Sequence, residues 1–211
     1  MVDLKFAISL KELQLPDNSI ISTIPSVMVH TSRNMLVKRF LESNCDKLLF
    51  LDVDEVFEND LALRLYADDK DIVGAMICSR VPEYKPCITK KVGNKLTSVF
   101  PYERKIFEVD TIGMGATMIK RKVFEKMKPP YFYFSNMREG IDTPENNVGE
   151  DINFCLDAGK AGFKIYCDAS LNPLHIGNKE ETDYRRAVMY NLSVLGEKGV
   201  NKIIEGYYNG K

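Results

Sequence analysis

The run Leu48–Leu51 is apolar at four consecutive positions and ends in Asp52-Val53-Asp54. Strand side chains alternate between faces, so an unbroken apolar run belongs to a strand covered on both faces. DIVGAMIC, residues 71–78, reads as a second strand of this kind. Between the two, Glu58–Ala67 reads as a helix. Before them, Thr31-Ser32 is placed to cap a helix through Ser43, with Met35, Leu36, Phe40 and Leu41 on its apolar side. With a short strand at 20–25 (IISTIP), this β-α-β-α-β alternation predicts an α/β layer with a largely parallel sheet.

The rest of the chain fits around that layer. Residues 3–14 form an amphipathic helical pattern that Pro16-Asp17-Asn18 stops. Residues 85–110 hold short strand-like pieces separated by turn residues, and Val109–Ile119 reads as one strand. A helix over Lys122–Met127 ends at Pro129-Pro130. The aromatic run Tyr131–Phe134 follows, and its rings suit either a core or a stacking surface. A polar loop at 135–148 leads to a helix from Gly149-Glu150-Asp151 through Ala161. Strands at Lys164–Cys167 and Pro173–Gly177 and a terminal helix over Asp183–Leu195 complete the reading. A single domain over 1–211 accommodates all of it.

Charge and cysteine usage narrow the function. Lys and Arg number 29 against 30 Asp and Glu, so no basic excess points to nucleic acid. No apolar run is long enough to span a bilayer and no signal peptide is apparent; a cytoplasmic chain, at most peripheral at a membrane, is expected. Cys45, Cys78, Cys87, Cys155 and Cys167 are widely spaced, with no CxxC pair for zinc, and read as reduced thiols.

The aspartates are the chemical feature. By strand alternation Asp52 and Asp54 are expected on one side, at the carboxyl end of a parallel strand, where open α/β sheets put ligands. Two such carboxylates repel unless a proton or cation lies between them, and Mg²⁺ or Mn²⁺ is the simplest remedy. Three explanations stand at this point. One is a solvated strand end with turn-forming aspartates. Another is the DxD metal site of a nucleotide-sugar glycosyltransferase. The third is a phosphatase of the haloacid dehalogenase superfamily, with Asp52 as nucleophile. DVDEV resembles the phosphatase motif, and VGEDINFCLDAGKAGF resembles its later acidic motif. However, Phe154 stands where that motif wants a second carboxylate, and a helix, strand and helix precede a strand that usually opens that fold.

Taken in order, Thr31-Ser32-Arg33-Asn34, LLFLDVD, DTIGMGATMIKRKVFEKM, GEDINFCLDAGKAGFKIYCD and PLHIG resemble the GT-A fold glycosyltransferases, near the inverting family 2, over residues 5–178. The resemblance implies a GT-A (Rossmann-like) three-layer sandwich, with a mostly parallel central sheet and a small antiparallel portion around 85–120. That family opens with a strand that helps hold the nucleotide base. Residues 4–10, LKFAISL, are the candidate for it, but the following KELQL continues a helical pattern that would leave the strand missing.

The resemblance also assigns roles. Asp52, Asp54 and His175 would hold Mn²⁺ or Mg²⁺ against the diphosphate of a UDP-sugar donor. Asp151 would be the general base for a hydroxyl acceptor, with Glu150 as the alternative; both acids would equally complement a helix dipole. Arg33 and Asn34 match a pair on the nucleotide side. Gly113, Met114 and Gly115 match the segment lining the donor sugar, with Asp110 near a sugar hydroxyl; a β-bulge explains the glycines as well. The competing class is a non-catalytic carbohydrate-binding relic of the fold.

Overall fold

The structure is a computed structural model that describes residues 2–136 apart from 26, 82, 94 and 102, then 147–177, 181–183, 186–190, 192–194 and 196. Most of the expected polar loop lies outside these residues, as does part of the terminal helix. Of that helix, 186–190 and 192–194 are described and helical.

In chain order the elements are α1 (Leu4–Glu12), α2 (Val29–Glu42), β1 (Lys47–Leu51), β2 (Glu55–Val56), α3 (Leu61–Ala67) and β3 (Ile72–Ala75). Then come β4 (Ile88–Val92), β5 (Lys95–Ser98), β6 (Ile106–Val109), β7 (Thr111–Ile112), β8 (Ala116–Lys120) and α4 (Arg121–Lys126). The last are β9 (Ser135–Asn136), β10 (Asn147–Val148), α5 (Glu150–Lys160), β11 (Ile165–Asp168), β12 (Leu174–Ile176) and β13 (Glu181–Thr182).

The central sheet runs β1-β8-β3-β11-β6. Only β3–β11 is a parallel pair; β1–β8, β8–β3 and β11–β6 are antiparallel. The class is α/β, as expected, but the mostly parallel sheet is not observed. The reason is topological. The unit β1–α3–β3 keeps its two strands parallel, yet β8 enters between them and pairs with both. An apolar run reports that both faces are covered, not which neighbour lies alongside.

Both faces are indeed covered, which makes three layers. Phe50, Ile72, Met76 and Ile119 pack with Val37 and Phe40 of α2, Phe124 of α4, and Phe154 and Ala158 of α5. Leu49, Leu51, Val73 and Met118 pack on the other face with Phe6 of α1 and Leu61 and Leu65 of α3. Residues 4–12 are thus a helix and not an opening strand; Asp3 caps it by accepting the Lys5 amide at 2.8 Å.

Three local expectations need correction. Residues 20–25 join no ladder; β propensity makes a strand only where a partner edge is offered. Arg39 holds this segment instead, through Ser22 Oγ at 3.2 Å and the Thr23 carbonyl at 3.0 Å. Helix α2 starts at Val29, ahead of Thr31-Ser32, and Met28 at its N-cap makes no side-chain bond. Asn34 Nδ2 bonds the His30 carbonyl at 2.8 Å and so fixes that first turn from within. Finally, Val109–Ile119 is three strands. The chain leaves the central sheet after β6, pairs β7 with β4, and returns as β8 through Gly113-Met114-Gly115.

The far end of α2 is closed by Arg121. Its guanidinium donates to the carbonyls of Phe40, Leu41, Ser43 and Cys45 at 2.7–3.2 Å, satisfying acceptors that a helix end leaves open. Two small sheets, β5-β4-β7 and β13-β12-β2, flank the central one, and the second of these frames the candidate site.

Candidate active site

The site forms where β1 and β3 end and β8 begins. The Asp52 amide donates to the Gly115 carbonyl at 2.8 Å, fixing the Asp52–Asp54 turn against the start of β8. A Cβ at Gly115 would lie 2.7 Å from Ile77 Cδ1, so glycine lets the backbone pass that side chain, with Asp52 Oδ2 and Glu55 Oε1 3.4 and 3.5 Å from the same point.

Asp52 and Asp54 do not share a partner. The strand ends at Leu51, so strict alternation has stopped before Asp54 is reached. Arg33, buried at 5% exposure on α2, donates through Nη2 to both oxygens of Asp52 at 3.1 and 3.0 Å. Its Nη1 donates to Glu150 Oε1 at the start of α5. One guanidinium therefore spans the end of β1 and the N-terminus of α5. A buried arginine survives only with such pairing.

Asp54 has other partners. Its Oδ2 lies 2.9 Å from Arg80 Nη1 and 3.5 Å from His175 Nε2. His175 is delivered by β12, which pairs with β2 so that His175 stands opposite Glu55. The His175 Nδ1 is 2.8 Å from the Cys78 carbonyl just beyond β3. A carbonyl only accepts, so Nδ1 carries a hydrogen; Nε2 is a lone-pair atom in the neutral ring and donates to Asp54 in the protonated one. Burial alone lowers the affinity of His175 for a proton, but its bond to Asp54, nearby Glu55 and the Cys78 carbonyl together raise its pKa. The His175 bond is the main influence that lowers Asp54.

Glu55 was not anticipated. It is 2% exposed, and its Oε2 has no hydrogen-bond partner among the described residues. Burial pushes its pKa up to about 8, with His175 opposing and Asp54 and Asp52 reinforcing the rise. One ligand atom from each of Asp54, Glu55 and His175 lies within 4.8 Å of the other two. Two carboxylates and an imidazole with its second nitrogen on a carbonyl form a donor set that suits a divalent ion.

Asp151 follows Glu150 in the first turn of α5, and its Oδ1 accepts the Ile152 amide at 2.7 Å. Burial raises its pKa, against the pull of that amide and of Arg33. A Cβ at Gly113 would stand 4.0 Å from Asp151 Oδ2, so Gly113 and Gly115 line this space from the β7–β8 connection. Five carboxylates therefore meet here against the guanidiniums of Arg33 and Arg80 and one imidazole.

Other expected site residues are used elsewhere. Met114 is 1% exposed and belongs to the core. Asn34 accepts the Tyr131 and Phe132 amides at 2.9 and 3.2 Å and donates to the Phe132 carbonyl at 2.7 Å, a clamp on backbone. Asp110 Oδ2 accepts the Lys91 amide at 2.6 Å in the small sheet. Of the aromatic run, Phe132 stacks on Phe154 in the core, while Phe134 is exposed and meets His30 edge-on. All five cysteines are free, and burial raises the thiols of Cys78, Cys87, Cys155 and Cys167.

A cavity of about 700 Å³ lies at the opposite end of β1, lined by Lys47, Tyr66, Asp69, Lys120 and Lys122 among others. Its three lysines are ion-paired to Asp69 or Asp71, and no member of the carboxylate cluster reaches it.

Comparison with protein-family models and with curated proteins gives no match. Among solved structures, A197 from STIV resembles the chain with a TM-score of 0.58 and 22% identity, over 88% of this chain and 86% of that one. At that identity the likeness is one of fold. No helix among the described residues is long and apolar enough to cross a membrane.

Proposed function

We propose that the chain is a metal-dependent glycosyltransferase of GT-A type, moving a sugar from a nucleotide donor, a UDP-sugar, to a hydroxyl acceptor with inversion. One observation carries the reading. Arg33, Asp52, Asp54, Glu150, Asp151 and His175 come from separate segments and meet at one end of the central sheet. That is where α/β sheets bind ligands.

The residues divide the work. Asp54 and His175 would hold Mn²⁺ or Mg²⁺; the fit is supported by His175 Nε2, which in the neutral ring offers its lone pair beside Asp54, and by the orphaned Glu55 oxygen next to them. When bound, such an ion supplies Lewis-acid neutralisation of the departing diphosphate. Glu150 is committed to Arg33, which leaves Asp151 to take the acceptor proton. Its raised pKa makes it a better base near neutral pH than an ordinary aspartate. Gly113 and Gly115, in the segment assigned to the donor sugar, run beside Asp151 and Asp52.

The test is calorimetric titration of UDP, with GDP as comparison, with and without Mn²⁺, followed by a turnover screen of UDP-sugars. Manganese-dependent UDP binding and transfer that Asp151→Asn abolishes are expected. Hydrolysis of p-nitrophenyl phosphate through an Asp52 phosphoenzyme, with no UDP-sugar turnover, would replace this reading.

A further inference from the structure

In the strand register, the acid opposite His175 is Glu55, not either aspartate of the DxD pair. Glu55 is 2% exposed, with Oε1 3.6 Å from His175 Nδ1 and Oε2 unpartnered among the described residues. A buried carboxylate oxygen without a donor is costly, and its presence requires a proton or a cation. His175 Nε2 also lies 3.5 Å from Asp54 Oδ2, and one ligand atom from each of Asp54, Glu55 and His175 lies within 4.8 Å of the other two. A single divalent cation would satisfy the Glu55 oxygen and engage all three ligand atoms. Asp52 has no such need, because Arg33 Nη2 already donates to both of its oxygens.

We infer that the divalent-ion ligands are Asp54, Glu55 and His175, and that Asp52 is a positioning carboxylate held by Arg33 outside the coordination sphere. The inference deepens the metal dependence of the proposed transferase and does not depend on which sugar is moved. Two carboxylates and an imidazole select Mn²⁺ over Mg²⁺, which prefers oxygen ligands and retained water. Arg80 at Asp54 Oδ2 is the half-exposed cation that the ion displaces.

The experiment measures Mn²⁺ binding to the full chain without nucleotide, from the free-Mn²⁺ electron paramagnetic resonance signal, with Mg²⁺ as competitor. Glu55→Gln and Asp54→Asn are expected to weaken Mn²⁺ by about tenfold or more, and Asp52→Asn by less than about threefold. Arg80→Ala should bind Mn²⁺ at least as tightly as the parent chain. Thermal melts of each variant separate lost binding from lost folding, and Glu55→Gln should melt no lower than the parent. Wild-type binding by Glu55→Gln, or equal losses from Asp52→Asn and Asp54→Asn, overturns the ligand set, as does absence of Mn²⁺ binding by the parent. Mn²⁺ binding that depends on Glu55 with no UDP-sugar turnover leaves this ligand set standing and removes the transferase reading.

Discussion

Arg33 and Glu150 are separated by 117 residues of sequence, yet the guanidinium of one donates directly to the carboxylate of the other in the buried floor of the site. Because Arg33 also holds Asp52, its loss strands two acids at once. Removing one partner of a buried pair costs about 3–5 kcal/mol. Arg33→Ala should therefore lower the urea-unfolding free energy by that amount, and Arg33→Lys should recover only part of it, since an ammonium cannot serve both acids in the same fork.

Glu55 should make stability depend on pH. Its carboxyl is raised from 4.5 to about 8 in the fold, so between those values the native state keeps a proton that the unfolded chain has released. Stability then falls as pH rises from about 4.5 through about 8. His175, also raised, acts in the same direction: its contribution is present below 6.5 and is lost as pH climbs through the folded value. Urea melts across this range should show the decline, and Glu55→Gln should flatten it, with a gain on the order of 4 kcal/mol at pH 8. Added Mn²⁺ should raise the melting temperature more at pH 8.5 than at pH 5.5, because the ion competes with the proton.

Asp151→Asn should separate chemistry from binding. Loss of a general base typically lowers turnover by about 10²–10⁴. Affinity for UDP and Mn²⁺ should stay within about twofold, since the expected metal ligands are elsewhere. The parent kcat should rise with pH through the upward-shifted Asp151 value and then level off.

Two glycines should respond with opposite sign. A Cβ at Gly74 would collide with Thr117 Oγ1 and stand 3.1 Å from the Ala116 carbonyl, so Gly74→Ala should destabilise by about 1–3 kcal/mol. Gly159 in α5 has nothing within 4 Å of such a Cβ, and Gly159→Ala should stabilise by roughly 0.4–1 kcal/mol. Chemical denaturation of the two variants beside the parent checks both.

What was legible in the sequence was local. The apolar runs at 48–51 and 72–75 marked strands buried on both faces, and α1, α3 and α5 lie within a few residues of their patterns. Strand direction was not legible, because it depends on where β8 inserts, a matter of distant pairing. The site divides in the same way. Asp54 and His175 were found from motif and do meet. Glu55 carries no signal of its own in the sequence; only the pairing of β2 with β12 buries it beside His175. Asn34 looked like a ligand group but clamps the Tyr131–Phe132 backbone, a use invisible without the fold.

The insertion of β8 also sets an order of events during synthesis. Strand β1 sits at the sheet edge, and its ladder partner is residues 116–120. At ribosomal speeds of about 5–20 residues per second, that partner emerges several seconds after β1 does. Until then an apolar strand with free backbone donors and acceptors waits in the nascent chain, a segment that a holding chaperone would shield.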